Sequence, residues 1–197
     1  MNIREARKAL GLTMKAFSER YNIPLRTVEN WEGGQRTPPP YVSSLLQDKI
    51  KNDLLIIEVA GDCADSLGVT CPKIEFGTEK SRDGNLTGLI LDSNKNPKKL
   101  LVSDEYVHIL DILFGVCHEI RHVYQALYMK EIFSSYIELE KLDTEAYNLQ
   151  EAEIDANAYA SLFIEKNFGV APLFTGYSDK VKAAIKNRKR ELMKEDF

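Results

Sequence analysis

The sequence predicts an α+β chain in two parts. Residues 1–50 form an all-α front, and residues 51–197 form a mixed domain in which a small sheet packs on a long helix. Three observations carry that expectation. Apolar residues recur at helical spacing in short, turn-bounded runs up to Ile50. The stretch 71–103 switches to short strand-like runs between polar turns, and helical spacing returns from Tyr106 onward. Charge divides along the same line: eight Lys and Arg against five Asp and Glu give the first fifty residues a local +3, whereas the whole chain carries −4.

Hydrophobic residues make up 44% and charged residues 28% of the 197, a globular balance with enough apolar material for a core. A net charge of −4 excludes a polybasic chain whose charge alone would dictate nucleic-acid or membrane binding. Cys63, Cys71 and Cys117 form no CxxC pair and are odd in number, so free thiols in a reducing compartment are expected. The amphipathic start MNIREARKALGL lacks the apolar core of a signal peptide. No run approaches the roughly 20 apolar residues of a membrane span. A cytoplasmic protein with no membrane partner is expected.

In the front part, Ile3, Ala6, Leu10 and Leu12 mark one face of a first helix that Gly11 closes. Thr13 is the N-cap of a second helix over residues 14–20, with Phe17 inward. Asn22-Ile23-Pro24 break it and open a third over residues 25–31, with Leu25, Val28 and Trp31 inward and Gly33-Gly34 as its stop. Pro38-Pro39-Pro40 read as a loop, since Pro is tolerated at a first helical position, where its missing N–H has no partner anyway. From Tyr41 the helical pattern runs to Gly68, with a kink expected near Gly61. No Gly/Ser linker interrupts it, so a stiff connection is expected.

Residues 73–76, 86–91 and 100–102 read as strands, with turns at 81–85 and 94–97. Ser103-Asp104 signal the start of a long helix from Tyr106 to about Met129, with Gly115 inside it. One further helix is expected from Asp143-Thr144 to near Gly169. A basic amphipathic helix follows over residues 180–194, with Val181, Ala184, Ile185 and Leu192 on its apolar side.

The long helix contains His118-Glu119-Ile120-Arg121-His122, an HExxH motif. Residues four apart lie about 40° apart around a helix, so both imidazoles point one way and can share a Zn²⁺. Glu119, next in line, can reach a metal-activated water as general base. The chain has three histidines, and two of them make the motif. The flanks Ile112, Leu113, Val116, Ile120 and Val123 are apolar, so the imidazoles face the interior, where a pair without a ligand would be costly.

Gln125 and Tyr128 stand where the metzincin extension requires Gly and His, so that option fails. A third ligand is expected on the helix at 151–160. Glu153, one turn before Asn157 and sharing its face with small Ala156 and Ala160, is favoured. Glu151, paired with Asp155, is the competing register, a carboxylate that could orient a ligating histidine from behind. Either choice gives a gluzincin-like layout. Cys117 points about 100° away from His118 and reads as core packing. His108 reads as an ordinary surface or core histidine. The tyrosines, Tyr147 among them, read as aromatic packing with any oxyanion donor left unassigned.

HEIRH followed by EIDANAYA resembles the ImmA/IrrE family of zinc metallopeptidases. The resemblance implies His118, His122 and Glu153 as zinc ligands, Glu119 as catalytic base and Asn157 as a partner behind the ligands. Residues 12–23 and 26–38 resemble the XRE-type (lambda-repressor-like) helix-turn-helix. That resemblance implies that the helix beginning at Leu25 enters the DNA major groove. Arg26, Thr27 and Asn30 would then contact base edges or phosphates, and Lys15, Gln35 and Arg36 the backbone. Met14 stands where this family often has Gln, and Pro24 where Ser is usual. The joint expectation is a zinc-dependent peptidase coupled to a helix-turn-helix, cleaving or regulating a repressor-type protein substrate. The alternative is a DNA-binding transcription regulator whose metal site is structural or sensory. Such modules often read palindromic sites as dimers, so a homodimer is among the expectations.

Overall fold

The computed structural model describes residues 2–78, 85–92, 96–137 and 142–195. The chain is mixed α+β and divides into two compact units, Met1–Glu58 and Val59–Phe197.

The first unit holds helices α1 (Ile3–Ala9), α2 (Met14–Arg20) and α3 (Leu25–Glu32), and α4 (Pro40–Ser66) begins in it. Asn2 caps α1 by accepting from the Arg4 amide, and Thr13 caps α2 by accepting from the Ala16 amide at 3.1 Å. Gly33 caps α3, and Gly34 takes φ +71°, a conformation that only Gly adopts without strain. Ala6, Leu10, Phe17, Val28, Leu46 and Ile50 form the core, with Trp31 partly buried against it. Leu25, expected inward, is 38% exposed. It occupies the first position of α3, and Val28 and Trp31 one turn further on carry the packing instead. Leu12 lies beyond the end of α1 and still packs on the core from the connecting loop.

Two arginines tie these helices together. Arg7 donates from Nε and Nη2 to the two oxygens of Glu32 at 2.6 and 3.0 Å, and from Nη1 to the Leu12 carbonyl at 2.8 Å. Arg20 grips buried Asp53 of α4 in the same bidentate way, at 2.9 and 2.7 Å, and the Tyr21 hydroxyl adds a third bond at 2.8 Å. Helix α4 runs without a break through Gly61, so the boundary between the units falls inside a continuous helix.

In the second unit β1 (Lys73–Thr78), β2 (Thr87–Leu91) and β3 (Pro97–Ser103) form a sheet of order β1-β3-β2. Central β3 is parallel to β1 and antiparallel to β2, and its alternate residues Leu100 and Val102 are fully buried. The turns expected at 81–84 and 94–95 lie outside the described residues. Helix α5 (Ile109–Tyr128) starts three residues later than expected, because Ser103 accepts from the Glu105 amide in a tight turn and caps no helix. His108 is exposed at its N-cap position. A short α6 (Lys130–Ser134) follows.

The single helix expected from Asp143 is two, α7 (Thr144–Asn148) and α8 (Glu151–Phe168). They part because Gln150 turns extended and clamps Ile137, accepting from its amide at 2.6 Å and donating to its carbonyl at 2.9 Å. Helix α9 (Asp179–Leu192) buries Val181, Ile185 and Leu192. Helix α5 packs along α8 and under β2 and β3, and α9 covers α8. The run of buried alanines at 152, 156, 158 and 160 lets α8 approach its neighbours closely.

Candidate metal centre and nucleic-acid face

The apolar face of α5, with Ile112, Leu113, Val116 and Ile120 fully buried, turns the imidazoles of His118 and His122 towards α8. Glu153, in the first turn of α8, meets them with a carboxylate that is itself buried. The two Nε2 atoms lie 3.0 Å apart, His118 Nε2 lies 3.3 Å from Glu153 Oε2, and His122 Nε2 lies 3.4 Å from Oε1. Glu151 is exposed, so of the two competing acids Glu153 is the one that reaches the imidazoles. Asp155, expected to share the side of Glu151, parts from it in burial. It is 1% exposed and paired with Arg121 and Arg188.

The trio fits a divalent cation on two counts. Glu153 Oε1 is buried with no hydrogen-bond partner among the described residues, so an oxygen lone pair is held ready. One donor atom from each of the three residues also lies within 4.8 Å of the other two, close enough for a single ion to be shared. The electrostatics agree. Burial alone would raise the Glu153 carboxyl, but the two imidazoles outweigh it and hold the group well below the usual carboxylate range. Burial opposes charge on His122, yet the adjacent Glu153 carboxylate pushes it up to about 9. A buried carboxylate kept anionic between two imidazoles is an arrangement that a cation can complete.

Glu119 lines the same cleft, and its Oε1 accepts from the Thr87 hydroxyl of β2 at 3.2 Å. The cleft encloses about 660 Å³ between β2, α5 and the loop carrying Thr175 and Tyr177. Tyr136 and Tyr147 line it too, their hydroxyls 2.5 Å apart. Burial and the charge of Glu153 both raise these phenols, so each keeps its proton. Asn157 is buried one turn after Glu153 and donates to the Glu153 backbone carbonyl at 2.9 Å, so it braces the turn of α8 that carries Glu153 rather than the carboxylate.

Sequence reasoning missed Thr87, Tyr136, Gln125 and Arg188. Gln125 is fully buried behind His122, with Oε1 2.7 Å from His122 Nδ1. Arg121 and Gln125 stand four apart on one face of α5, and that spacing was the available signal for a polar partner such as Asp155 on the facing helix. Cys117 is core packing as expected, its thiol pushed up first of all by burial.

On the first unit Lys15, Arg26, Gln35 and Arg36 are exposed, while Thr27 and Asn30 are half-buried. Lys15 lies 3.8 Å from Glu19, an exposed pair across one helical turn. Arg26 and Arg36 make no ion pair among the described residues, which leaves both guanidinium groups available to phosphate or base edges. Exposed Met14 and Leu25 stand at the N-termini of α2 and α3.

Among the described residues no helix is long and apolar enough to cross a membrane. No curated protein and no solved structure matched the chain. The family model described as Helix-turn-helix matches residues 3–51, about a quarter of the sequence and nearly all of the first unit. The N-terminal part is therefore an XRE-type helix-turn-helix, which supports DNA binding by this end of the chain.

Proposed function

We propose that this protein is a DNA-binding regulator whose second unit is a zinc-dependent peptidase of the ImmA/IrrE type, acting on a repressor-type protein partner. The observation that carries the reading is the convergence of His118, His122 and Glu153 within 4.8 Å of one another, beside Glu119 in an open cleft. The imidazole and carboxylate donors of these three residues would hold the ion, and an all-nitrogen-and-oxygen set of this kind suits Zn²⁺. Bound there, Zn²⁺ supplies Lewis acidity, acidifying water and polarising a peptide carbonyl.

The chain's own groups supply the remainder. Glu119, oriented by Thr87, takes the proton of the attacking water on its carboxylate and returns it to the departing amine nitrogen. Tyr136 and Tyr147 hold protons that can be donated to the carbonyl oxygen as negative charge develops on it. Strand β2 is at an edge of the sheet and lines the cleft, so an extended substrate can add to it by backbone hydrogen bonding.

The test is Glu119→Gln in the full chain. Zinc stoichiometry should stay at that of the wild type while cleavage of the partner is lost. The helix-turn-helix match favours one second reading, a regulator in which the metal is structural or sensory. Full biological activity of Glu119→Gln would support that reading and remove the peptidase.

A further inference from the structure

We infer that Gln125 and Asp155 position the His122 imidazole for metal binding, and that Arg188 of α9 grips this pair, so that affinity at the site depends on a helix that contributes no ligand. The inference rests on the reading of His118, His122 and Glu153 as metal ligands, and it concerns binding rather than cleavage.

The relay follows from donors and acceptors. The Gln125 amide nitrogen carries two hydrogens and spends both, one on the Ala152 carbonyl at 2.9 Å and one on Asp155 Oδ2 at 2.8 Å. Neither acceptor has a hydrogen to return, so the amide is locked in one orientation. Its Oε1 therefore faces His122 Nδ1 and can only accept. Neutral His122 must then carry its proton on Nδ1, which leaves the Nε2 lone pair directed at His118 and Glu153. A flipped amide would point N–H at Nδ1 and drive the proton to Nε2, where it would block the ion.

Asp155 is what forbids the flip, and it is held in turn. Arg121 donates to it from Nε at 2.7 Å and from Nη2 at 3.1 Å, and Arg188 donates from Nε at 2.8 Å. The path Arg188–Asp155–Gln125–His122 joins α9 to the metal site through three consecutive hydrogen bonds. Partners behind a ligating histidine set its tautomer and ring orientation, and losing one typically costs about 10–100-fold in metal affinity.

The experiment measures Zn²⁺ affinity of the full chain by chelator competition for wild type, Gln125→Met, Arg188→Ala and, as a control on the exposed side of α9, Arg190→Ala. In parallel, nitrogen-resolved NMR of metal-free wild type and Gln125→Met, held alkaline enough for neutral imidazole, reports which nitrogen of His122 bears the proton. The expected result is a loss of about 10–100-fold for Gln125→Met, a smaller loss for Arg188→Ala and none for Arg190→Ala. Wild-type His122 should be protonated on Nδ1, and Gln125→Met should lose that preference. A fold-preserving role without positioning would leave the tautomer unchanged. Affinities within about threefold of wild type for both relay variants overturn the inference, as does a wild-type proton on Nε2. If Gln125→Met does not fold, Arg188→Ala and the wild-type tautomer decide. A wild type that binds zinc through this relay yet cleaves nothing removes the peptidase and leaves the inference standing.

Discussion

Gly115 of α5 lies so close to Thr87 of β2 that a Cβ at position 115 would sit 2.6 Å from the Thr87 hydroxyl oxygen and 2.9 Å from its methyl carbon. The same hydroxyl donates to Glu119. One close approach therefore sets both the spacing of helix and strand and the direction of the carboxylate. Gly115→Ala gains helix propensity, worth about 1 kcal/mol, but the clash forces strand and helix apart. The expected net effect is destabilisation of about 1–2 kcal/mol in denaturant unfolding. Pairing it with Thr87→Ala should recover most of that loss, because the atoms in collision are then gone.

Acid should unfold the protein through a small set of carboxylates. The Glu32 carboxyl is held low by Arg7, and those of Asp155 and Glu153 are held low by their partners against the opposing effect of burial. A carboxyl whose folded pKa is depressed stabilises the fold above its unfolded value near 4 and loses that contribution as pH falls through the folded value. His122 has the opposite sign. Raised from 6.5 to about 9, it stabilises the metal-free chain fully below 6.5 and loses that contribution as pH rises through about 9. Thermal melts of metal-free protein should therefore fall at both ends of the range, and His122→Ala should flatten the alkaline side.

Zinc should stabilise the fold by mass action. At a free concentration one hundred times the dissociation constant the gain is about 2.7 kcal/mol, read as a rise in melting temperature that a chelator reverses. His118→Ala, which removes one of the three donors, should abolish the increment and also lower the metal-free melt, since it takes away one of the two imidazoles that offset the burial of Glu153.

DNA binding by the first unit should weaken with salt along a modest slope, because its net charge is small and only a few cations carry the phosphate contacts. Arg26→Ala should weaken binding in gel-shift titrations. If Arg26 meets phosphate, the slope of log affinity against log salt should drop by about one; if it meets a base edge, discrimination between sequences should fall instead.

Much of this was legible in the sequence because it depends on local signals. The Thr13 cap, the Gly33-Gly34 stop and the bounds of α2 follow from side-chain chemistry within a few residues. The His118–His122 pair follows from helical spacing alone, and Glu153 from the small face around it. What the sequence hid was long-range. The break between α7 and α8 depends on Gln150 bonding to Ile137, which is thirteen residues away and has no local signature. The late start of α5 reflects competition between two uses of the Ser103 hydroxyl, a turn and a cap. For Asp155 the sequence offered a carboxylate behind a ligating histidine, but not its arginine partners, which lie on two other helices.

Asp155 accepts hydrogen bonds from three side chains on two neighbouring helices, and with a single buried carboxylate it leaves each of them no substitute. Replacing it alone would strand two cations and an amide at once, so evolution can reach another solution only by altering several positions together. Positions 121, 125, 155 and 188 should therefore covary as one unit wherever enough related sequences are aligned.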